Sequence, residues 1–176
     1  MFGLVRVFVA RISNPQPIVF PMFRRLLPFV VGLWLIHLSD LSAQVGFALP
    51  VLNEVMPGTV VTIPVTVTDF DSVQGVQFVL QWDAEILNFL SVLSYNLPGM
   101  NSEDFGLLDV SNGLLRFAWE STNVNTGSSV SNGTAIFLIK FSVIGQVNQG
   151  TSIVFTELPP TDFEVVQVGR PPLDMD

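Results

Sequence analysis

The sequence predicts an all-β domain, a two-sheet sandwich or jelly roll of eight or nine short strands, preceded by an N-terminal signal peptide. Three observations predict it. Beyond residue 43, apolar and polar side chains alternate with a period of two, the pattern of strands that pack on a core from one side. Tight-turn residues separate these runs, and no run shows sustained helical periodicity. Short strands at this spacing are typical of sandwiches and jelly rolls.

Two runs show the alternation most clearly. Gly75–Trp82 has one apolar face and an opposite face with Gln77 and Gln81, and Leu114–Glu120 alternates in the same way. Further strands are predicted at Val45–Leu49, Thr59–Thr68, Ile86–Leu93, Thr134–Val143, Thr151–Thr156 and Phe163–Val168. The dipeptides Asn112-Gly113 and Asn132-Gly133 indicate tight turns, because Asn and Gly accept positive φ. Proline cannot donate to a strand ladder, so Pro64 predicts an edge position or a bulge.

The chain divides into an N-terminal extension and signal peptide (residues 1–43), a sandwich domain (residues 44–169) and a tail (residues 170–176). Arg24 and Arg25 precede the apolar run Leu26–Ile36, and a polar stretch then ends at Ala43. This is the order of a secretory signal, and its apolar run of about 11 residues is short of the roughly 20 that a membrane-spanning helix needs. We expect translation from Met22 and cleavage after Ala43, with no membrane insertion afterwards. An uncleaved anchor is the alternative.

Charge and composition exclude several classes of function. The leader holds 4 of the 7 Lys and Arg and 1 of the 15 Asp and Glu, which leaves a formal charge of −11 on residues 44–176. Such a chain repels phosphate backbones, so we expect no nucleic-acid partner. There is no cysteine, and the single histidine, His37, lies in the leader. Without thiol or imidazole in the exported part, we expect a binding module and not an enzyme.

One segment carries a family resemblance. Val73–Leu87 ends in Trp82-Asp83-Ala84-Glu85-Ile86-Leu87, which resembles the aromatic-Asp-Pro-x-x-Leu motif of cohesin domains, with Ala84 in place of the proline. Segments similar to later strands of that family follow in the expected order: Gly113–Trp119, Ser131–Val143 and Gly150–Phe155. The resemblance covers about residues 45–168.

The resemblance implies a nine-strand jelly roll, related in fold to some carbohydrate-binding modules. It also implies that the chain docks a dockerin-like protein module, in a polysaccharide-degrading or cell-surface assembly outside the cytoplasm. In this family the contact surface lies on the outward positions of one sheet. The predicted partner-binding residues are Gln77, Val79, Gln81, Arg116 and Glu120.

Two other functions remain open. A carbohydrate-binding module of the same fold would bind polysaccharide through loop aromatics, for which Phe70, Tyr95 and Phe105 are the candidates. Trp82 and Trp119 share the apolar faces of their strands, so we expect both in the core. The other alternative is a structural spacer domain of a surface protein.

Acidic side chains in loops are expected to have local roles. Asp83 follows the last aromatic of its strand, where a carboxylate accepts hydrogen bonds from turn N–H groups. Asp69 and Asp71 flank Phe70 and are candidates for calcium, which prefers oxygen ligands. A solvated acidic turn is the default, so we expect no metal site and no cofactor.

Overall fold

The computed structural model describes residues 5–9 and 44–173. Within them the chain forms two sheets, one of seven strands and one of four. The strands are β1 (Val5–Val9), β2 (Gly46–Ala48), β3 (Leu52–Val55), β4 (Val60–Thr68), β5 (Val73–Gln81), β6 (Leu87–Leu93), β7 (Phe105–Gly106), β8 (Leu114–Glu120), β9 (Ala135–Val143), β10 (Gly150–Thr156) and β11 (Glu164–Gln167). Two single-turn 3-10 helices, Ser102–Asp104 and Val110–Asn112, lie on either side of β7. The predicted all-β sandwich is confirmed.

The larger sheet has the strand order β3-β1-β10-β5-β8-β7, and β11 pairs with β5 beside the end of β10. The smaller sheet has the order β2-β4-β9-β6. The long strands β4, β5, β6, β8, β9 and β10 alternate between the two sheets along the chain. All pairs are antiparallel except β1 with β10. Alternation between sheets is the connectivity that jelly rolls use to stack two antiparallel layers.

The core between the sheets is aromatic. Phe78 of β5 lies at its centre, with ring centroids 4.9 Å from Phe117 and 5.0 Å from Phe155. Trp82 and Trp119 are 4% and 2% exposed, and their indole N–H groups donate to the carbonyls of Leu87 and Pro98. Both tryptophans are therefore core residues, as their strand faces predict, and each polar N–H has the acceptor that burial requires.

The predicted strands are all present, with bounds shifted by one or two residues. Beyond the eight predicted runs, the structure also has β1, β3 and β7. The strands β3 and β7 have four and two residues, too few for a period of two to stand out. Pro64 lies opposite Leu138 of β9, beyond the residues of β4 that pair with β2, and a bulge follows at Val65 and Thr66. At Pro64, β4 therefore has a neighbouring strand on one side only, an edge position of the kind that tolerates a residue without an N–H group.

The predicted signal segment, residues 24–43, lies outside the described residues. Val5–Val9 belongs to the predicted N-terminal extension, and its backbone pairs with β10 on one side and β3 on the other. At the other end, Leu173 forms a two-way backbone bridge with Val165 of β11. No helix in residues 5–9 and 44–173 has the length and apolar character needed to cross a membrane.

Candidate functional site

The predicted contact residues lie on the outer face of the larger sheet, where β11, β5 and β8 run side by side. The strand register sets rows of neighbours across this face. Gln77 of β5 is opposite Ala118 of β8 and Glu164 of β11. The next row pairs Gly75 with Glu120 on one side and with Val166 on the other. Side chains at alternate positions share one side of a sheet, so both rows point away from the core.

One end of this face is covered. The connection between β10 and β11, residues 157–163, is here called the strap. Val79 has an outward position between Arg116 of β8 and Thr156 of β10, yet it has no exposed surface and is not in the core between the sheets. Arg116 reaches the strap across β5, donating from Nη1 to the Leu158 carbonyl at 2.8 Å and to Thr161 Oγ1 at 3.0 Å. The strap therefore crosses the outer face above Val79, and we call this part the closed end.

Arg116 is the residue that holds the closed end. Besides its two bonds to the strap, its Nε lies 3.8 Å from Asp109 Oδ2. Its side chain is 26% exposed. A guanidinium with three acceptors around it is fixed in direction, because its planar donors need partners in set positions.

The other end of the face is open. It contains a cavity of about 360 Å³ that is lined in part by Gly75 and Ala118. Gly75 has no side chain, and the side chain of Ala118 is a single methyl group. Three carboxylates line it: Glu120, Glu164 and Asp104. We call this part the open end.

The carboxylates of the open end have different surroundings. Glu164 accepts from Gln77 Nε2 at 3.0 Å, and Asp104 accepts from the Asn101 backbone N–H at 2.8 Å as part of a capping box. Glu120 is exposed and makes no hydrogen bond or ion pair with the described part of the chain. None of the side chains that line the cavity is cationic. The lining of the open end therefore has three acidic side chains and no basic one.

The five predicted contact residues divide between the two ends. Gln77 and Glu120 line the open cavity, and Gln81 is exposed beyond the strap's contacts. Val79 is buried and Arg116 is engaged by the strap, so these two side chains are not available to a partner in this conformation. The alternation predicted that they point outward, which is correct, but it did not show what covers them.

Two further acids of the cavity were missed, although the sequence holds signals for both. Asp104 ends the run Asn101-Ser102-Glu103-Asp104, a capping-box pattern that places a short turn before β7. Glu164 takes an outward position in the alternating run of β11. What the sequence did not reveal is that both strands border the face of Gln77.

The candidate sugar-binding aromatics do not form a platform. Phe70 and Phe105, two of the three candidates, are 1% and 6% exposed and are packed in the core. Tyr95 is 40% exposed, with its ring centroid 5.7 Å from that of Phe105. Burial of a large ring is favourable enough to draw a loop residue inward wherever the core has room.

The predicted loop acids have local contacts. The Asp83 carboxylate accepts from the Glu85 N–H at 2.9 Å, and its carbonyl accepts from Ile86 and Leu87, so it organises the turn as predicted. Asp71 accepts from Ser129 Oγ at 2.5 Å. Within residues 5–9 and 44–173, no three acidic or histidine side chains are grouped so that they could hold a metal ion.

Comparison with known proteins agrees with this architecture. The profile of the cohesin domain matches residues 47–162, about two thirds of the chain. The chain belongs to the cohesin domain family. Cohesin domains are non-catalytic binding modules, which is consistent with a chain that is not an enzyme. None of the curated proteins matches the chain.

Solved structures of cohesins have the same fold at low identity. The sixth cohesin of scaffoldin B from Acetivibrio cellulolyticus, solved with a mutant dockerin, is 14% identical with a TM-score of 0.53, covering 68% of this chain and 84% of its own. The third cohesin of ScaC from the same organism, solved with a ScaB dockerin, is 20% identical with a TM-score of 0.51, covering 66% and 82%. A type I cohesin–dockerin complex from Clostridium thermocellum gives 11% and 0.50, covering 66% and 82%.

Proposed function

We propose that this cohesin domain is a docking module that binds a dockerin-like protein partner through the open end of its larger sheet. The observation that carries the proposal is the open cavity on that surface. Gly75, Ala118 and Glu120 lie on a rigid sheet, and they surround a cavity that no other part of the described chain fills. The family match and the solved cohesin–dockerin complexes support the class of partner.

A sheet face suits this role for a physical reason. The strands β5 and β8 lie in the interior of the larger sheet, so their backbones are held by hydrogen bonds on both sides. A partner that meets such a face loses little entropy to ordering the surface, which favours specific binding. The small residues Gly75 and Ala118 also allow a close approach of the partner's backbone.

The proposal is tested by capture of dockerin modules on the immobilised full chain, with and without calcium. We expect Gln77→Arg combined with Gln81→Arg to abolish capture, because two long cations would enter the contact surface, while the melting temperature changes little. The matched control is Asn88→Arg, an exposed amide of β6 in the smaller sheet. Equal capture by the double variant and the control would refute this face.

The same experiment separates the two alternative functions. If the immobilised chain retained insoluble polysaccharide and no dockerin, and if Tyr95→Ala abolished that retention, the domain would be a carbohydrate-binding module. Retention of neither would indicate a spacer domain. The Tyr95 ring is exposed, but it lies beside the buried Phe105 and not in a row of exposed rings, so the docking function is favoured.

We also propose that the domain works outside the cytoplasm, at the cell surface or in a secreted assembly that degrades polysaccharide. The support is the order of charge and apolar residues in 24–43. Sequencing the N-terminus of the exported chain tests it, and the expected first residue is Gln44. Cleavage there would remove β1, the strand that pairs with β3 and β10. An exported chain that begins at Met1 would show that β1 is kept.

A further inference from the structure

The strand β1 lies between two strands of the larger sheet that do not pair with each other. It pairs in parallel with residues 150–153 of β10 and antiparallel with β3. In residues 5–9 and 44–173, no other strand pairs with β3. The position between β3 and β10 is here called the β1 site, and β1 is the strand that connects β3 to the rest of the sheet.

The order of segments along the chain makes β1 incompatible with the proposed export. β1 precedes the predicted signal, residues 24–43, whereas β3 and β10 follow it. The basic end of such a signal stays on the cytoplasmic side while the chain after it crosses the membrane. Cleavage after Ala43, retention as an anchor and translation from Met22 would each separate β1 from the exported domain. Export would therefore leave the β1 site open.

The two borders of the β1 site are held by contacts that do not involve β1. β10 pairs with β5 through residues 154–156. The turn after β3 is bound to β9, since the Gly58 N–H donates to the Val143 carbonyl at 2.8 Å and the Val143 N–H donates to the Thr59 carbonyl at 2.9 Å. A strand that enters the open site would thus meet a border that is already in place on each side.

The open site would have the properties of an edge that accepts a strand. An unpaired strand presents rows of N–H and C=O groups, which natural edges protect with charges or prolines. β10 has neither a charged residue nor a proline. Exposed apolar side chains lie near both borders, with Val51 and Met56 at the two ends of β3 and Val147 shortly before β10.

The segment that fills this site in the full chain indicates the chemistry of a ligand. β1 reads VRVFV, with three β-branched valines and one basic residue, Arg6. β-branched residues favour the extended conformation that pairing requires. A cation also suits a domain with a formal charge of −11 on residues 44–176.

We propose that the β1 site is a strand-acceptor site, in which the exported domain binds an extended, apolar and basic segment of another protein in parallel with β10. Main-chain hydrogen bonds to a sheet edge supply the affinity in this mode of recognition. The inference rests on the proposed location outside the cytoplasm. It adds a second contact at the sheet edge, and this contact uses none of the residues that line the open end of the outer face.

The test uses a labelled peptide with the sequence of residues 3–11, GLVRVFVAR. We expect it to bind the exported chain that begins at Gln44, and to bind the full chain at least tenfold more weakly, because the tethered β1 competes at a high effective concentration. In the full chain, Val7→Pro should restore binding, since Val7 pairs with both Leu52 and Thr151 and proline has no N–H group to donate. This variant tests the site without removing residues 1–43.

The matched control is the same peptide with Val7→Pro, which we expect not to bind. Hydrogen exchange locates the bound peptide, and slower exchange is expected in residues 52–55 and 150–153, with β6, an edge of the smaller sheet, unchanged. Equal binding of the two peptides, or protection at β6 instead, would overturn the inference. An exported chain that captures dockerin but not the peptide would overturn it and leave the docking function intact. Export of a chain that still begins at Met1 would overturn the inference together with the cleavage on which it rests.

Discussion

The two ends of the outer face share strands β5 and β8 and the same alternation, but they present different surfaces. At the closed end, Val79 and Arg116 point outward and are covered or engaged by the strap. At the open end, further along β5 and β8, Gly75 and Ala118 also point outward and line the open cavity. The difference comes from a connection that is distant in sequence, since Arg116 and Thr161 are 45 residues apart.

This difference shows how one sheet can have two roles. At the closed end Val79 is removed from water on the outer side of the sheet, and burial of an apolar side chain adds stability. Among residues 44–173 no connection crosses the open end, and its carboxylates line an open cavity. Under the proposed docking function, stability and binding depend on different halves of β5 and β8.

The largest effect should come from placing the same acidic side chain at each end. In Val79→Asp, a carboxylate would be buried under the strap beside Arg116, a guanidinium that is already bound to the strap and to Asp109, and we expect a loss of about 3–5 kcal/mol in the free energy of unfolding. In Ala118→Asp the carboxylate stays in water, and we expect about 1 kcal/mol or less. Urea denaturation of both variants measures this. Similar losses would mean that the strap does not cover Val79 in solution.

The next effect concerns the residue that holds the strap. Arg116→Ala removes the donors to Leu158 and Thr161, and we expect a loss of about 2 kcal/mol, since hydrogen bonds from a charged group contribute more than neutral ones. Arg116→Lys should recover only part of this stability, because an ammonium group lacks the planar arrangement of N–H donors that a guanidinium has.

Hydrogen exchange distinguishes this role from a partner contact. Faster exchange confined to residues 157–163, with dockerin capture unchanged, is the result expected of a strap residue. Loss of capture with slow exchange in the strap would instead make Arg116 a contact residue, as the sequence predicted.

Much of the fold could be predicted from the sequence because it depends on local alternation. The faces of Gly75–Trp82 and Leu114–Glu120, the burial of both tryptophans and the turn at Asn112-Gly113 all follow from short patterns. Gly113 has φ +78°, and a Cβ there would lie 2.1 Å from the Trp82 carbonyl oxygen, so the turn requires glycine. The strand faces and the Asn-Gly turn signal lie within short stretches of sequence, whereas the contact between Gly113 and Trp82 joins two distant segments and was not predicted.

The site was harder to predict because it depends on which strands become neighbours. Glu164 and Gln77 are 87 residues apart, and Asp104 reaches the same face through the two-residue strand β7. For Val79 the sequence predicted correctly that the side chain points outward, but it did not predict that the strap covers it. Pairing across long separations is set by the packing of the whole core, which no local pattern records.

The smallest effect on folding, and the most direct test of the open end, is expected from filling its cavity. Ala118→Phe places a ring over Gly75 at an exposed strand position, where aromatic residues are well tolerated, so the free energy of unfolding should change by about 0.5 kcal/mol or less. Dockerin affinity should fall at least tenfold, about 1.4 kcal/mol, because the ring occupies the space of the partner's side chain. Thr62→Phe, an exposed position of β4 in the smaller sheet, is the matched control and should bind like the wild type. Binding titrations measure both, and an unchanged affinity for Ala118→Phe would show that the partner does not enter the cavity of the open end.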